Sequence, residues 1–115
     1  MSVELEKGLR IITDLVSLCY YEGADEFKME LHMQPDSGST LMEIECPMPG
    51  LPEGFVDQLC KELSLHRQHE VEQTYWELSG ETDLADELTL VGMMVDKAHV
   101  TYNDGVLHIK MWRKE

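Results

Sequence analysis

The sequence is poor in basic residues. It has nine lysines and arginines against 23 aspartates and glutamates, which gives a formal net charge of −14 over 115 residues. A chain with this balance repels phosphate backbones and anionic lipids, so we expect neither nucleic acid nor a membrane as its partner. The acidity either keeps the chain in solution or attracts a basic protein partner.

Cysteines and long apolar runs are also scarce. The three cysteines, Cys19, Cys46 and Cys60, are an odd number at spacings that match no zinc motif. No apolar run approaches the length of about 18 residues that a membrane-spanning helix needs. The first ten residues carry charges where a signal peptide would be apolar. We therefore expect free thiols, a cytoplasmic location and a single domain over residues 1–115.

The apolar residues that are present, 43% of the chain, follow regular patterns. Helical spacing predicts three amphipathic helices, at residues 3–21, 55–65 and about 84–97. Gly23 is the expected C-cap of the first helix. Alternation of apolar and polar residues predicts four strands, at residues 27–33, 41–46, about 99–103 and about 106–112. The Asn103-Asp104-Gly105 stretch between the last two strands is a strong signal for a hairpin turn.

This order of elements predicts an α/β (α+β) fold. We expect a two-layer sandwich in which helices cover one face of a mixed, mostly antiparallel sheet. Alternate strand residues should face the helices, and this set comprises Phe27, Met29, Leu31, Met33, Leu107, Ile109 and Met111. The strand histidines between them, His32, His99 and His108, should face solvent.

Four segments, taken in order, carry a family resemblance. They are "DLVSLCYYEGADEFKMEL", "LMEIECPMPGLPEGF", "ETDLADELTLVGMMVD" and "HVTYNDGVLHIKMWRK". Their order and spacing resemble the GHKL ATPase superfamily, which includes histidine-kinase catalytic domains and small anti-sigma-factor serine kinases. The four segments correspond to its first helix and strand, its Asp-x-Gly-x-Gly loop, its glycine-rich lead into a helix, and its closing hairpin. The resemblance implies a Bergerat-like sandwich.

The resemblance also implies where a nucleotide pocket would lie. The positions equivalent to that pocket are Asp14, Leu18, Cys46, Met48, Gly50, Ala85 and Glu87. Asp14 stands at the general-base position, and Leu18 replaces an asparagine that coordinates magnesium, which a leucine cannot do. Cys46 replaces the aspartate that reads adenine, and Glu87, near a phosphate-binding glycine, would repel the phosphates.

These replacements are typical of a degenerate member of the family. We interpret the chain as a non-catalytic regulatory or protein-interaction module that binds no ATP, magnesium or other cofactor. Two alternatives stay open: an ATP-binding serine kinase with a divergent pocket, and a pocket for a small apolar ligand. His66 and His69 lack a further ligand at a recognised spacing, so we predict no metal site. Without phosphates to cover, a mobile lid is unnecessary. Tyr75, Trp76 and Leu78 are therefore expected to be ordered, as an added strand between the second and third helices or against the core.

Overall fold

A computed structural model describes residues 3–34, 38–63, 91 and 94–114. Its elements are α1 (Val3–Tyr21), β1 (Lys28–Gln34), β2 (Ser39–Pro47), α2 (Glu53–Leu63), β3 (Lys97–Asn103) and β4 (Val106–Lys114). The four strands form one sheet in the order β1-β2-β4-β3, and every strand pair in it is antiparallel. The predicted two-layer α+β sandwich is confirmed.

The two faces of the sheet differ in what covers them. Along β2 and β4, every second side chain is buried, as expected for strands with one face against a core. The inner face and the helices share one hydrophobic cluster, whose strand members include Met42, Ile44, Leu107, Ile109 and Met111. Both α1 and α2 therefore pack on this inner face, and the predicted orientation of β4 is confirmed.

Strand β1 faces the predicted way but is less buried than predicted. Its registration places Met29 opposite Ile44 and Leu31 opposite Met42, on the inner face. Leu31 packs against the core, whereas Met29 is 51% exposed. Among the described strands β1 lies at an edge of the sheet, so no other described strand shields one of its sides.

Two turns have the backbone geometry that their sequences predict. After α1, Gly23 has a φ of +113°, its amide donates to the Tyr20 carbonyl, and the Ala24 amide donates to the Cys19 carbonyl. These two bonds form a Schellman motif, which confirms Gly23 as the C-cap. Between β3 and β4, Asp104 and Gly105 both have positive φ, 52° and 76°, as a type I′ hairpin turn requires.

The predicted third helix ends earlier than its spacing suggests. Val91 and Met94 are helical and buried, but strand β3 already begins at Lys97, so the predicted helix end at Lys97 is wrong. The Asp96 amide donates to the Trp112 carbonyl at 2.8 Å, and this bond directs the chain into the sheet. Residues 66–82 lie outside the described residues.

Among the described residues, one charged side chain is buried on the inner face. The alternation along β4 turns Arg113 inward, where it is 1% exposed. Its Nε lies 3.2 Å from a carboxylate oxygen of Glu4, in the first turn of α1. Its Nη1 donates to the Met94 carbonyl at 2.7 Å. Arg113 therefore joins the last strand to the first helix inside the protein.

Candidate functional site

The positions equivalent to the adenine and magnesium sites are occupied by core side chains. Leu18 is 8% exposed, Cys46 is fully buried and Met48 is 4% exposed, and all three belong to the single hydrophobic cluster. Asp14 is half-buried on α1. Ala85 and Glu87 lie outside the described residues. Leu18, Cys46 and Met48 thus belong to one packed core, and Met48 also lines a small cavity beside it.

Cys46 has a second cysteine as its neighbour. Cys19 on α1 is also fully buried, and both thiols are free. The hydrogen bond of Cys19 to Cys46, together with burial away from water, raises the pKa of Cys19. Cys19 is therefore a protonated thiol at neutral pH, which suits a core position and not a nucleophile.

The loop between β2 and α2, residues 48–52, contains Pro49 and Pro52, and we call it the proline-rich loop. It is fixed to the β3–β4 hairpin. The Tyr102 hydroxyl donates to the Met48 carbonyl at 2.7 Å and accepts from the Leu51 amide at 3.2 Å. The Met48 amide donates to the Gly105 carbonyl at 2.7 Å. Gly50 lies in the left-handed region with a φ of +79°, where glycine is favoured. These backbone groups are used within the protein, so they are not available to hold a ligand.

A small cavity remains between this loop and the end of α1. It measures about 200 Å³ and is lined by Glu22, Gly23, Met48, Pro49, Gly50, Leu51 and Pro52. Pockets for drug-sized molecules usually measure about 300–1,000 Å³. Among these lining residues the one charged group is a carboxylate, which would repel a polyphosphate.

An exposed aromatic and acidic surface lies at the C-terminal end of α1. Tyr20 and Tyr21 are 63% and 71% exposed, and their rings meet edge to face with centroids 5.8 Å apart. Exposed carboxylates follow at Glu22, Asp25 and Glu26. We call these five residues the tyrosine patch. The sequence pattern places both tyrosines at a helix end, but the extent of their exposure follows only from the fold.

The outer face of the sheet carries a second polar arrangement. Glu30 on β1 is paired directly with Glu43 on β2. The Nε2 atom of His32 lies 3.1 Å from a Glu30 oxygen, and the Nε2 atom of His108 lies 3.1 Å from a Glu43 oxygen. The hydrogen bond with His32 lowers the pKa of Glu30. We call Glu30, His32, Glu43 and His108 the outer-face cluster.

The sequence predicts the solvent-facing orientation of these histidines but not their grouping. His32, His99 and His108 all lie on the outer face, as alternation predicts. Which of them meets a carboxylate depends on strand order and registration, and the pairing of β2 with β4 across 58 intervening residues leaves no local sequence signal. On the same face, the Lys97 and Lys110 ammonium groups lie 5.1 Å and 5.3 Å from the Trp112 ring centroid.

Comparisons with known proteins find no relative. No family model, no curated protein and no solved structure matches this chain. The relationship to the GHKL superfamily therefore stays a prediction from the four sequence segments. Within the described residues, no helix combines the length and apolar character needed to cross a membrane.

Proposed function

We propose that this chain is a non-catalytic interaction module that binds a basic protein partner through the tyrosine patch. One observation carries the proposal: two adjacent tyrosines, 63% and 71% exposed, stand beside three exposed carboxylates. Tyrosine is enriched at the centres of protein interfaces, because its ring supplies contact area and its hydroxyl a hydrogen bond. A protein that leaves two such rings in water gains free energy when a partner covers them.

The charges around the two rings favour a cationic partner. Arginine and lysine side chains bind to aromatic faces, and carboxylates beside the rings add an attraction that also accelerates association. The C-terminal end of α1 contributes a partial negative charge at the same place. The net charge of −14 extends this attraction to the whole molecule.

The proposed module also performs no ATP chemistry, and this lack is part of the non-catalytic assignment. It is supported by the burial of Leu18, Cys46 and Met48 and by the hydrogen bonds that fix the proline-rich loop. The three free cysteines agree with a reducing, cytoplasmic compartment.

A titration with defined peptides, followed by amide-resolved NMR, tests the binding surface. The probe is a peptide of alternating arginine and glycine, and an alternating glutamate and glycine peptide is its matched control. We expect the arginine peptide to shift the amides of Tyr20, Tyr21 and Glu22, and the glutamate peptide to shift none of them. The double variant Tyr20→Ala/Tyr21→Ala should abolish these shifts. Shifts that survive in this variant would show that general charge attraction, and not the patch, binds the peptide.

A calorimetric titration with ATP and ADP, with and without magnesium, tests the proposed lack of nucleotide binding. We expect no saturable binding below about millimolar nucleotide. Micromolar binding that depends on magnesium would favour the kinase alternative and would refute the non-catalytic assignment. The two titrations are independent, so the patch can be confirmed even if the nucleotide result is unexpected.

A further inference from the structure

Strand β1 presents an accessible edge to solvent. Among the described strands only β2 pairs with it, and that ladder includes all seven residues of β1. Met29 points to the inner face yet is 51% exposed, whereas the inner-face side chains of β3, at the other end of the strand order, are half-buried against the core. On the outer face, the side chains of Glu30 and His32 are 46% and 51% exposed. Another strand could therefore approach β1 along this edge.

The sequence of β1 has few of the features that keep an edge strand from pairing with another chain. The backbone N–H and C=O groups along a sheet edge form a template for a further strand, and proteins protect such edges with short strands, proline or inward-pointing charges. β1 is seven residues long, contains no proline and carries its single lysine at the first position. Its inner-face residues are Met29, Leu31 and Met33, none of them charged. β1 is therefore suited to accept a partner strand.

The sequence of β1 is also complementary to itself. Leu31 is the midpoint of the strand, so antiparallel pairing of two copies about a two-fold axis at Leu31 aligns all seven residues. Glu30 then stands opposite His32 of the second copy, whose imidazole can donate a hydrogen bond to the carboxylate. Met29 stands opposite Met33 of the second copy, which shields it from water. An axis at Glu30 would instead oppose two glutamates, which destabilises a sheet.

We propose that β1 is an interface between two copies of this chain, which pair β1 with β1 about Leu31 to form one continuous sheet. Such an interface is isologous, because both copies contribute the same residues. Glu30 already stands opposite the like charge of Glu43 on β2, and His32 of the second copy supplies a hydrogen-bond donor on its other side. The inference goes beyond the proposed function, because it uses β1 and not the tyrosine patch.

The charge of β1 permits self-association although the whole chain is strongly acidic. β1 contains one lysine and one glutamate, whereas the whole chain has a formal charge of −14. The excess acids thus lie outside β1, and salt screens their repulsion beyond about 8 Å at physiological ionic strength. Seven residues a side are fewer than the roughly 20–30 of a stable interface. We therefore expect a reversible dimer with a Kd between about 10 µM and 1 mM.

Sedimentation equilibrium of the full chain, over a concentration series that spans this range, tests the proposal. We expect the mass to rise reversibly from one chain to two. Met29→Lys places an inward-pointing charge on the edge and should weaken the dimer at least about tenfold; because Met29 is half exposed, the far-UV circular dichroism should be unchanged. Tyr21→Lys is the matched control, since it introduces the same charge at a more exposed residue outside β1. It should dimerise as the unmodified chain does.

An exchange of charges tests the registration. Glu30→Lys and His32→Glu each remove the acid–imidazole pairs, so each variant alone should dimerise at least about tenfold more weakly. In an equimolar mixture both pairs again join opposite charges, and a heterodimer about as tight as the unmodified dimer should form.

Three results would overturn the inference. The first is a mass of one chain throughout the concentration series. The second is a dimer that Met29→Lys leaves unchanged, or that Tyr21→Lys weakens as strongly, which would place the interface at the tyrosine patch. The third is a mixture of the Glu30→Lys and His32→Glu variants that associates no better than either variant alone, which would refute the registration about Leu31.

Discussion

Replacing Glu4 and Arg113, separately and together, tests the buried ion pair between α1 and β4. Glu4→Leu leaves the guanidinium of Arg113 in the core without this carboxylate. Removing one partner of a buried pair costs about 3–5 kcal/mol. The Glu4 side chain is 22% exposed, so solvent screens part of the charge, and we expect a loss of about 2–3 kcal/mol.

The second single variant and the double variant give the sharper test. Arg113→Met removes the charge but leaves the Met94 carbonyl without the donor now 2.7 Å away, which costs about 1–3 kcal/mol. The double variant contains no buried guanidinium that lacks its carboxylate partner. We therefore expect the double variant to be about 2–3 kcal/mol more stable than the sum of the two single losses would predict.

Urea unfolding measures all three variants. With a slope of about 1.5 kcal/mol per molar urea, a loss of about 2.5 kcal/mol lowers the midpoint by about 1.7 M. Glu6→Leu is the matched control, since Glu6 is an exposed acid in the same helical turn, and it should cost less than about 1 kcal/mol. If the two single losses add to within about 0.5 kcal/mol in the double variant, the coupling between Glu4 and Arg113 is refuted.

Three further predictions concern the thiols, the proline-rich loop and the outer face. In the native protein a thiol reagent should modify Cys60 alone, because Cys19 and Cys46 are buried. Reaction of all three cysteines before unfolding would show that Cys19 and Cys46 are accessible to solvent. Tyr102→Phe should cost about 1–3 kcal/mol in urea unfolding, since it removes both hydrogen bonds to the loop, and an unchanged midpoint would show that the loop is held otherwise. Because His32 lowers the pKa of Glu30, the pair stabilises the protein above the ordinary glutamate pKa and this contribution is lost as pH falls through the lowered value. NMR titration should find the Glu30 pKa higher in His32→Ala, and an unmoved pKa would mean that the histidine is not its cause.

Local patterns in the sequence predict most of the described fold. The helical spacing before Tyr21, the glycine that ends α1 and the Asp104-Gly105 turn each depend on a few neighbouring residues. Alternation also predicts the inner face of β4, because side-chain direction along a strand has a period of two. These features need no knowledge of the rest of the chain.

The candidate sites depend on distant contacts and were therefore harder to predict. The pairing of Glu30 with Glu43, and the approach of His108 to Glu43, depend on the registration of three strands. Continued alternation would have turned Arg113 inward, but an inward arginine is plausible only once Glu4 is known to lie beside it. A resemblance to an ATPase pocket likewise identifies positions, whereas only the fold reveals whether they line a cleft.

The position of β4 constrains how the protein can be synthesised. β4 follows the other three described strands along the sequence, yet it lies in the interior of the sheet between β2 and β3. A growing chain that has not yet released β4 from the ribosome can pair β1 with β2, but the edge of β2 that pairs with β4 stays open. The core then also lacks Leu107, Ile109 and Met111. We therefore expect the sheet to stay incomplete, and open to edge-to-edge aggregation, until β4 has emerged from the ribosome.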